Sequence, residues 1–139
     1  MDWTLRPALA SDVGWIAELR ADVLREDLAR LGRYDPVRVR ERFRSGFSPA
    51  LTRVIVVDGE DAGSIAVRTA DDGIWIEHFY LAPHLQGRGI GTGVLAHVLS
   101  AGGVHRLNVL QGSPARRLYE RHGFALDSED EVDVFLVRR

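Results

Sequence analysis

The stretch Gln86-Gly-Arg-Gly-Ile-Gly-Thr-Gly93 puts glycine at every second position between two apolar segments. Before it, Ile74 to Leu81 reads as a long strand closed by Pro83; after it, Val94 to Ser100 reads as an apolar helix. A chain built this way must pass from strand to helix through a glycine-rich turn. Such a turn lets successive backbone N–H groups converge, and the positive end of the helix adds its dipole, so together they make a pyrophosphate site. The dinucleotide fingerprint G-x-G-x-x-G is not met, because position 92 is Thr and position 94 is Val. A P-loop fails for want of lysine. On spacing alone, a tight turn with no ligand stays open.

The segments around the turn set the fold class. Leu5 opens a short strand ending at Pro7. Ser11 or Asp12 caps a helix in which Val13, Ile16, Leu19 and Val23 share a face, continued by Leu24, Leu28 and Leu31 and stopped at Gly32. Asp35-Pro36 reads as N-cap and first residue of a second helix with Val39 and Phe43 inward. Its Arg38, Arg40, Arg42 and Arg44 read as a solvated face. Asp58-Gly59 joins strands 53–57 and 62–68 as a hairpin, and Asp71-Asp72-Gly73 turns the chain into strand 74–81. Strand 107–110, helix 114–122 and a last strand 132–137 follow. Helices, an antiparallel meander, a βαβα run and a closing strand describe one mixed α/β domain over residues 1–139 around a single twisted sheet.

Composition removes whole classes of chemistry. All 18 basic side chains are Arg, and there is neither Lys nor Cys. Disulfides, thiolate metal sites, Cys nucleophiles and Schiff-base lysines are therefore excluded. The five histidines, at 78, 84, 97, 105 and 122, form no H-E-x-x-H or other close ligand pair, so no metal is expected. No G-x-S-x-G occurs, which argues against a serine hydrolase. A net charge of −2 gives no broad surface for nucleic acid or anionic membrane. No apolar run approaches the ~20 residues of a membrane span, and a cytoplasmic protein is expected.

Two motifs narrow the reading further. Leu81-Ala-Pro-His-Leu-Gln86-Gly-Arg-Gly-Ile-Gly91 resembles the acetyl-CoA motif Q/R-x-x-G-x-G/A of the GNAT N-acetyltransferase superfamily. Ser113-Pro-Ala-Arg-Arg-Leu-Tyr119-Glu-Arg-His-Gly-Phe124 is similar to that family's N-P-A-x-x-L-Y-E-x-x-G-F helix, with Ser113 in place of the usual Asn. Leu5-Arg-Pro-Ala8 followed by Asp12 looks like the family's first strand and helix, so the resemblance spans essentially the whole chain. It implies the GNAT fold: a mixed, mostly antiparallel twisted sheet with a central splayed parallel pair and about four flanking helices. The splay is expected after Leu81, with 74–81 parting from 107–110.

The resemblance also implies the chemistry, an acetyl group moved from acetyl-CoA to a primary amine by direct attack. A lysine-like amine has a pKa of about 10.4, so at pH 7 roughly one in a few thousand is nucleophilic and something must take its proton. Glu77, an acid inside an apolar and aromatic strand, matches the family's base. His78 is expected on the opposite side of the strand by alternation. Tyr119 matches the general acid near the sulfur; since Tyr (about 10) is a weaker acid than a thiol (about 8.5), it is expected mainly to hydrogen-bond the developing thiolate. The cofactor contacts implied are Phe79, Leu81, Gln86, Gly87, Arg88, Gly89, Ile90, Gly91, Thr92, Ser113 and Arg116, with Arg117 as a further candidate for the adenosine phosphate. Leu81 is expected to lend backbone groups to the pantetheine arm. A non-catalytic acyl-CoA-binding or interaction domain of the same fold is the rival reading, and family habit leaves a homodimer open.

Overall fold

The computed structural model describes residues 1–139. Eleven main elements follow one another: β1 (Trp3–Pro7), α1 (Val13–Arg30), α2 (Pro36–Gly46), β2 (Thr52–Val57), β3 (Glu60–Ala70), β4 (Gly73–Leu81), α3 (Ile90–Leu99), β5 (His105–Leu110), α4 (Ala115–Arg121), β6 (Ala125–Glu129) and β7 (Asp133–Arg138). The strands form one seven-stranded sheet in the order β1-β2-β3-β4-β5-β7-β6, antiparallel throughout except for the pair β4–β5. This is the mixed sheet with a central parallel pair that the sequence leads one to expect.

The β2–β3 hairpin turns on Asp58 and Gly59, both at positive φ (49° and 85°), the backbone that a two-residue turn between twisted strands requires. Asp35 caps α2 as expected, its carboxylate accepting from the N–H of Val37 at 2.9 Å and of Arg38 at 3.0 Å. Two expectations fail. Helix α3 starts at Ile90, four residues before Val94, because the chain leaves its left-handed residue at Gly89 and is helical at once. The expected last strand is β7, but a further strand, β6, precedes it and pairs with it antiparallel. Every residue of β6 is exposed, so Ala125-Leu-Asp-Ser-Glu129 carries none of the apolar alternation that marks a half-buried strand.

Each face of the sheet has its own core. On one, Ile90, Val94, Leu95 and Leu99 of α3 and Tyr119 of α4 cover Ile55, Ile65, Ile76, Leu107, Val109, Val134 and Leu136. On the other, Ile16 and Ala17 of α1 and Phe43 of α2 pack with Ala8, Val54 and Tyr80. Full burial of aliphatic and aromatic side chains is worth about 1.5–3 kcal/mol each, so these two layers hold the sheet between the helix pairs.

Asp12 does not cap α1 through its side chain. It is buried at 5% exposure and accepts from Arg6 (2.9 and 3.0 Å), the Leu9 N–H (2.8 Å) and Trp15 Nε1 (2.8 Å). The Arg6 guanidinium holds its carboxyl far below the usual carboxylate range. Arg6 also bonds Asp61, so the cluster ties β1, the start of α1 and β3 together. Asp12→Asn keeps the shape and loses the charge; it is expected to destabilise the fold by about 2 kcal/mol, read as a lower Tm.

His105 is fully buried, with Nδ1 3.2 Å from the Gly103 carbonyl and no partner for Nε2. Burial holds its pKa below the ordinary histidine value. The unfolded chain therefore binds a proton that the folded chain refuses, and stability is lost as the pH falls through the unfolded value of about 6.5. Urea melts are expected to show unfolding free energy decreasing from about pH 7 to about pH 5, with a shallower slope in His105→Leu.

Candidate active site

The site begins where the sheet comes apart. Strands β4 and β5 pair only through Ile74 with His105 and Trp75 with Arg106. They diverge from Ile76 onward, well before the expected parting after Leu81. The physical cause is a bulge in β4. Ala66 of β3 faces Glu77 but Ser64 faces Tyr80, so β4 carries an extra residue, and His78 takes φ = 49°. Ser64 Oγ, fully buried, donates to the His78 carbonyl at 2.8 Å and replaces the ladder bond that the bulge removes. A positive φ at a non-glycine residue costs on the order of 1–3 kcal/mol, held here by pairing on either side.

The bulge overturns the alternation expected of His78. Ile65 and Val67 point to the α3–α4 layer, so Ala66 and Arg68 point to the α1–α2 side, and Glu77 with them. His78 turns to that same side. Its ring meets Phe43 edge-on at 5.0 Å, and its Nδ1 lies 3.0 Å from the Tyr80 hydroxyl. Arg20 Nη1 donates to that hydroxyl at 2.6 Å, completing a chain from α1 to the bulge. Burial, with the Arg20 charge nearby, lowers the His78 pKa and keeps the ring neutral near pH 7.

The parted strands open a cleft of about 1390 Å³ that runs from the glycine turn, between β4 and β5, to α1 and α2. One small ligand needs roughly 300–1,000 Å³, so this space has room for two. Glu77 lines it. Both carboxylate oxygens of Glu77 are held by Arg68, at 3.0 and 3.3 Å, and the side chain keeps 37% exposure. The partner that an acid in an apolar strand needs is thus Arg68, itself stacked over Trp75 at 5.8 Å.

At the other end the turn has the shape of an anion cradle. Gly87 and Gly89 sit at φ = 75° and 84°, a conformation that L-residues rarely adopt, and Gly89 is the N-cap of α3. The N–H groups of Ile90, Gly91 and Thr92 open the helix and have no carbonyl one turn back. The Ile90 side chain itself is core, so only its backbone faces the turn. Gln86 Nε2 donates to the Leu81 carbonyl at 2.9 Å and thereby closes the turn onto β4. Gly93 has another purpose: a Cβ there would lie 2.9 Å from Trp3 Nε1, so its bare backbone lets α3 seat against β1.

Between the two ends stands Tyr119, buried and packed on Phe79 (ring centres 6.5 Å apart) and Phe124 (5.7 Å). Its hydroxyl bonds no protein group and is not sealed from the cleft. Burial pushes its pKa above the ordinary tyrosine value. Ser113 lines the cleft with its Oγ accepting from the Ala115 N–H at 3.2 Å, which starts α4. Phe79, Leu81, Gln86, Gly87, Gly89, Gly91 and Thr92 all border the cleft. Arg88 and Arg117 are exposed, Arg116 pairs with Glu120 at 3.5 Å, and none of the three borders it. Val23, Leu24 and Leu28 of α1 do, as do Arg38 and Arg42 of α2. Sequence reasoning assigned these to a helix face or to solvent. The i, i+4 spacing puts Arg38 and Arg42 on one side of α2, but Arg40 and Arg44 share that spacing, so the sequence did not say which pair faces the cleft. No group of His, Asp or Glu is placed to hold a metal ion, and no helix is long and apolar enough to cross a membrane.

A sheet split at its parallel pair, with a glycine cradle leading into α3, defines a class. The family model for the acetyltransferase (GNAT) domain matches residues 50–126, more than half of the chain, and the chain belongs to that family. No curated protein matches it. Among solved structures it is similar to the PaiA N-acetyltransferase from Thermoplasma acidophilum in complex with coenzyme A, with 18% identity, TM-score 0.79, and coverage of 100% of this chain and 99% of that one. It is also similar to an acetyltransferase of the GNAT family from Streptococcus agalactiae (15% identity, TM-score 0.75, 98% and 94% covered). An N-acetyltransferase from Staphylococcus aureus Mu50 is a third (19% identity, TM-score 0.73, 96% and 99% covered). Likeness at these identities is a likeness of fold.

Proposed function

We propose that this protein transfers an acetyl group from acetyl-CoA to a primary amine of a small molecule or peptide, by direct attack within a ternary complex. The observation that carries the reading is the single cleft joining an anion cradle, a buried tyrosine hydroxyl and a strand carboxylate. The CoA complex of the Thermoplasma acidophilum relative supports the donor.

Acetyl-CoA supplies an acetyl thioester. The N–H groups at the start of α3 hold its pyrophosphate, and Gly87 and Gly89 let the backbone approach. The pantetheine arm lies along the free edge of β4, where Phe79 and Leu81 border the cleft. A main-chain N–H of this edge polarises the thioester carbonyl. The amine nitrogen bonds to the carbonyl carbon as the C–S bond breaks. Glu77 takes the amine proton, directly or through water, and Arg68 keeps the carboxylate in place. Tyr119 donates a hydrogen bond to the departing sulfur. Its raised pKa makes it a donor that stabilises the thiolate rather than an acid that gives up its proton early.

Thermal unfolding with acetyl-CoA, against NAD and ATP, tests the donor. Saturation at about 100 times Kd adds about 2.7 kcal/mol, a shift of several degrees in a domain this size. A shift with acetyl-CoA alone supports the reading, and no shift at millimolar cofactor overturns it. Mass analysis of an amine screen then reads the transfer itself. Tyr119→Phe is expected to lower kcat by about 10- to 100-fold with acetyl-CoA affinity retained; a loss of binding would make the residue structural.

A further inference from the structure

We infer that the acceptor amine carries a carboxylate, read by Arg20, Arg38 and Arg42 on the α1–α2 wall of the cleft; this rests on the acetyltransferase reading above. Arg38 and Arg42 stand one turn apart on α2 and both line the cleft. Arg40, on the same helix, is turned away and spends its charge on Glu18 at 2.6 Å. Arg20 of α1 lines the cleft between them and the β4 bulge. It is half-buried and held rigid by bonds from Nε to the Val39 carbonyl (3.0 Å) and from Nη1 to Tyr80 (2.6 Å). None of the three takes part in any ion pair of the chain.

A half-buried guanidinium without a carboxylate partner is an unbalanced charge, and Arg38 and Arg42, exposed on α2 and lining the same cleft, are available to share a planar anion with it. The acids of this wall do not fill that place. Asp27 pairs with Arg30 at 2.7 Å, and Asp35 is occupied capping α2. Across the cleft, Asp130 accepts from the N–H groups of Val132 and Asp133, Asp133 accepts from Asn108 at 2.9 Å, and Glu131 is exposed on the opposite rim from α2. Glu77, which also lines the cleft, is held by Arg68. A small amine with its own carboxylate therefore docks the anion at α2 and presents its nitrogen at Glu77. A polycation such as a polyamine meets like charge on this wall.

The test is a matched panel with acetyl-CoA: glycine, β-alanine, 4-aminobutanoate, glutamate and phenylalanine, each beside its carboxamide, with spermidine as the polycation. The acids are expected to exceed their amides in kcat/KM by about 10-fold or more for at least one chain length. In the Arg38→Ala/Arg42→Ala double variant that ratio falls to about one through KM, while Arg44→Ala, outside the cleft, keeps it. Calorimetric titration of the same acids and amides into the CoA-bound protein separates the two readings. Acid binding without acetyl transfer to any amine upholds the carboxylate site and overturns the acetyltransferase. Transfer that favours amides or spermidine overturns the carboxylate site and leaves the acetyltransferase standing. Neither binding nor transfer overturns both.

Discussion

Glu77→Gln is expected to lower kcat/KM at neutral pH by about 10²- to 10³-fold with acetyl-CoA affinity retained. Gln keeps an oxygen for Arg68 and the length of the side chain, so the bulge and the wall of the cleft stay as they are. What it removes is the capacity to take a proton from an amine that is almost entirely ammonium at pH 7. The sign of the pH dependence follows. As the pH rises toward the amine's own value of about 10.4, solvent does the deprotonation and the variant recovers relative to the parent. A full pH–rate profile of both proteins checks this. Equal kcat/KM across the range would remove Glu77 from proton transfer. Arg68→Ala adds a control of a different kind: the carboxylate is intact but unheld, and the loss should be smaller than that of Glu77→Gln.

Gly89→Val is expected to weaken acetyl-CoA binding by about 100-fold. The residue sits at φ = 84°, where a β-branched side chain is strained by about 1–3 kcal/mol, and relief of that strain re-aims the N–H groups of Ile90, Gly91 and Thr92. Nothing lies within 4 Å of a Cβ built at Gly89, so the substitution enters open space and the core is untouched. The readout separates the two consequences. At a cofactor concentration giving the parent about 2.7 kcal/mol of stabilisation, a 100-fold weaker site gives about 0.4 kcal/mol, while the Tm without cofactor falls only modestly. Gly93→Val makes the contrast. Its side chain would collide with Trp3, so it should lower the Tm of the free protein first.

The two glycines show how local chemistry and tertiary structure divide the site between them. Their identity was equally plain in the chain, yet only the fold assigns Gly89 to the cradle and Gly93 to helix–strand packing. The same holds for the arginines of α2. A run of Arg at alternate positions reads as solvated surface until the helix is placed against β4, and then Arg40 turns to Glu18 while Arg38 and Arg42 turn to the cleft. Arg88 and Arg116 are legible as phosphate contacts in the motifs; in the fold Arg88 is exposed on the glycine turn, and Arg116 lines a small pocket that shares Ser113 and Pro114 with the cleft. Strand β6 was illegible for a simpler reason, since an edge strand exposed along its whole length buries nothing and needs no pattern.

Residue order alone was enough for whatever depends on a few neighbouring residues. It held the Asp35-Pro36 helix start, the Asp58-Gly59 hairpin and the glycine turn into α3, because caps, turns and positive φ angles are properties of short backbone segments. It held the mixed α/β class as well, through the periods of its apolar positions. Tertiary structure decided where β4 leaves β5, which way His78 faces and what Arg38 and Arg42 are turned toward. Those depend on a register shift between β3 and β4 and on the packing of α2 across the sheet, and a bulge exists only once two strands are paired.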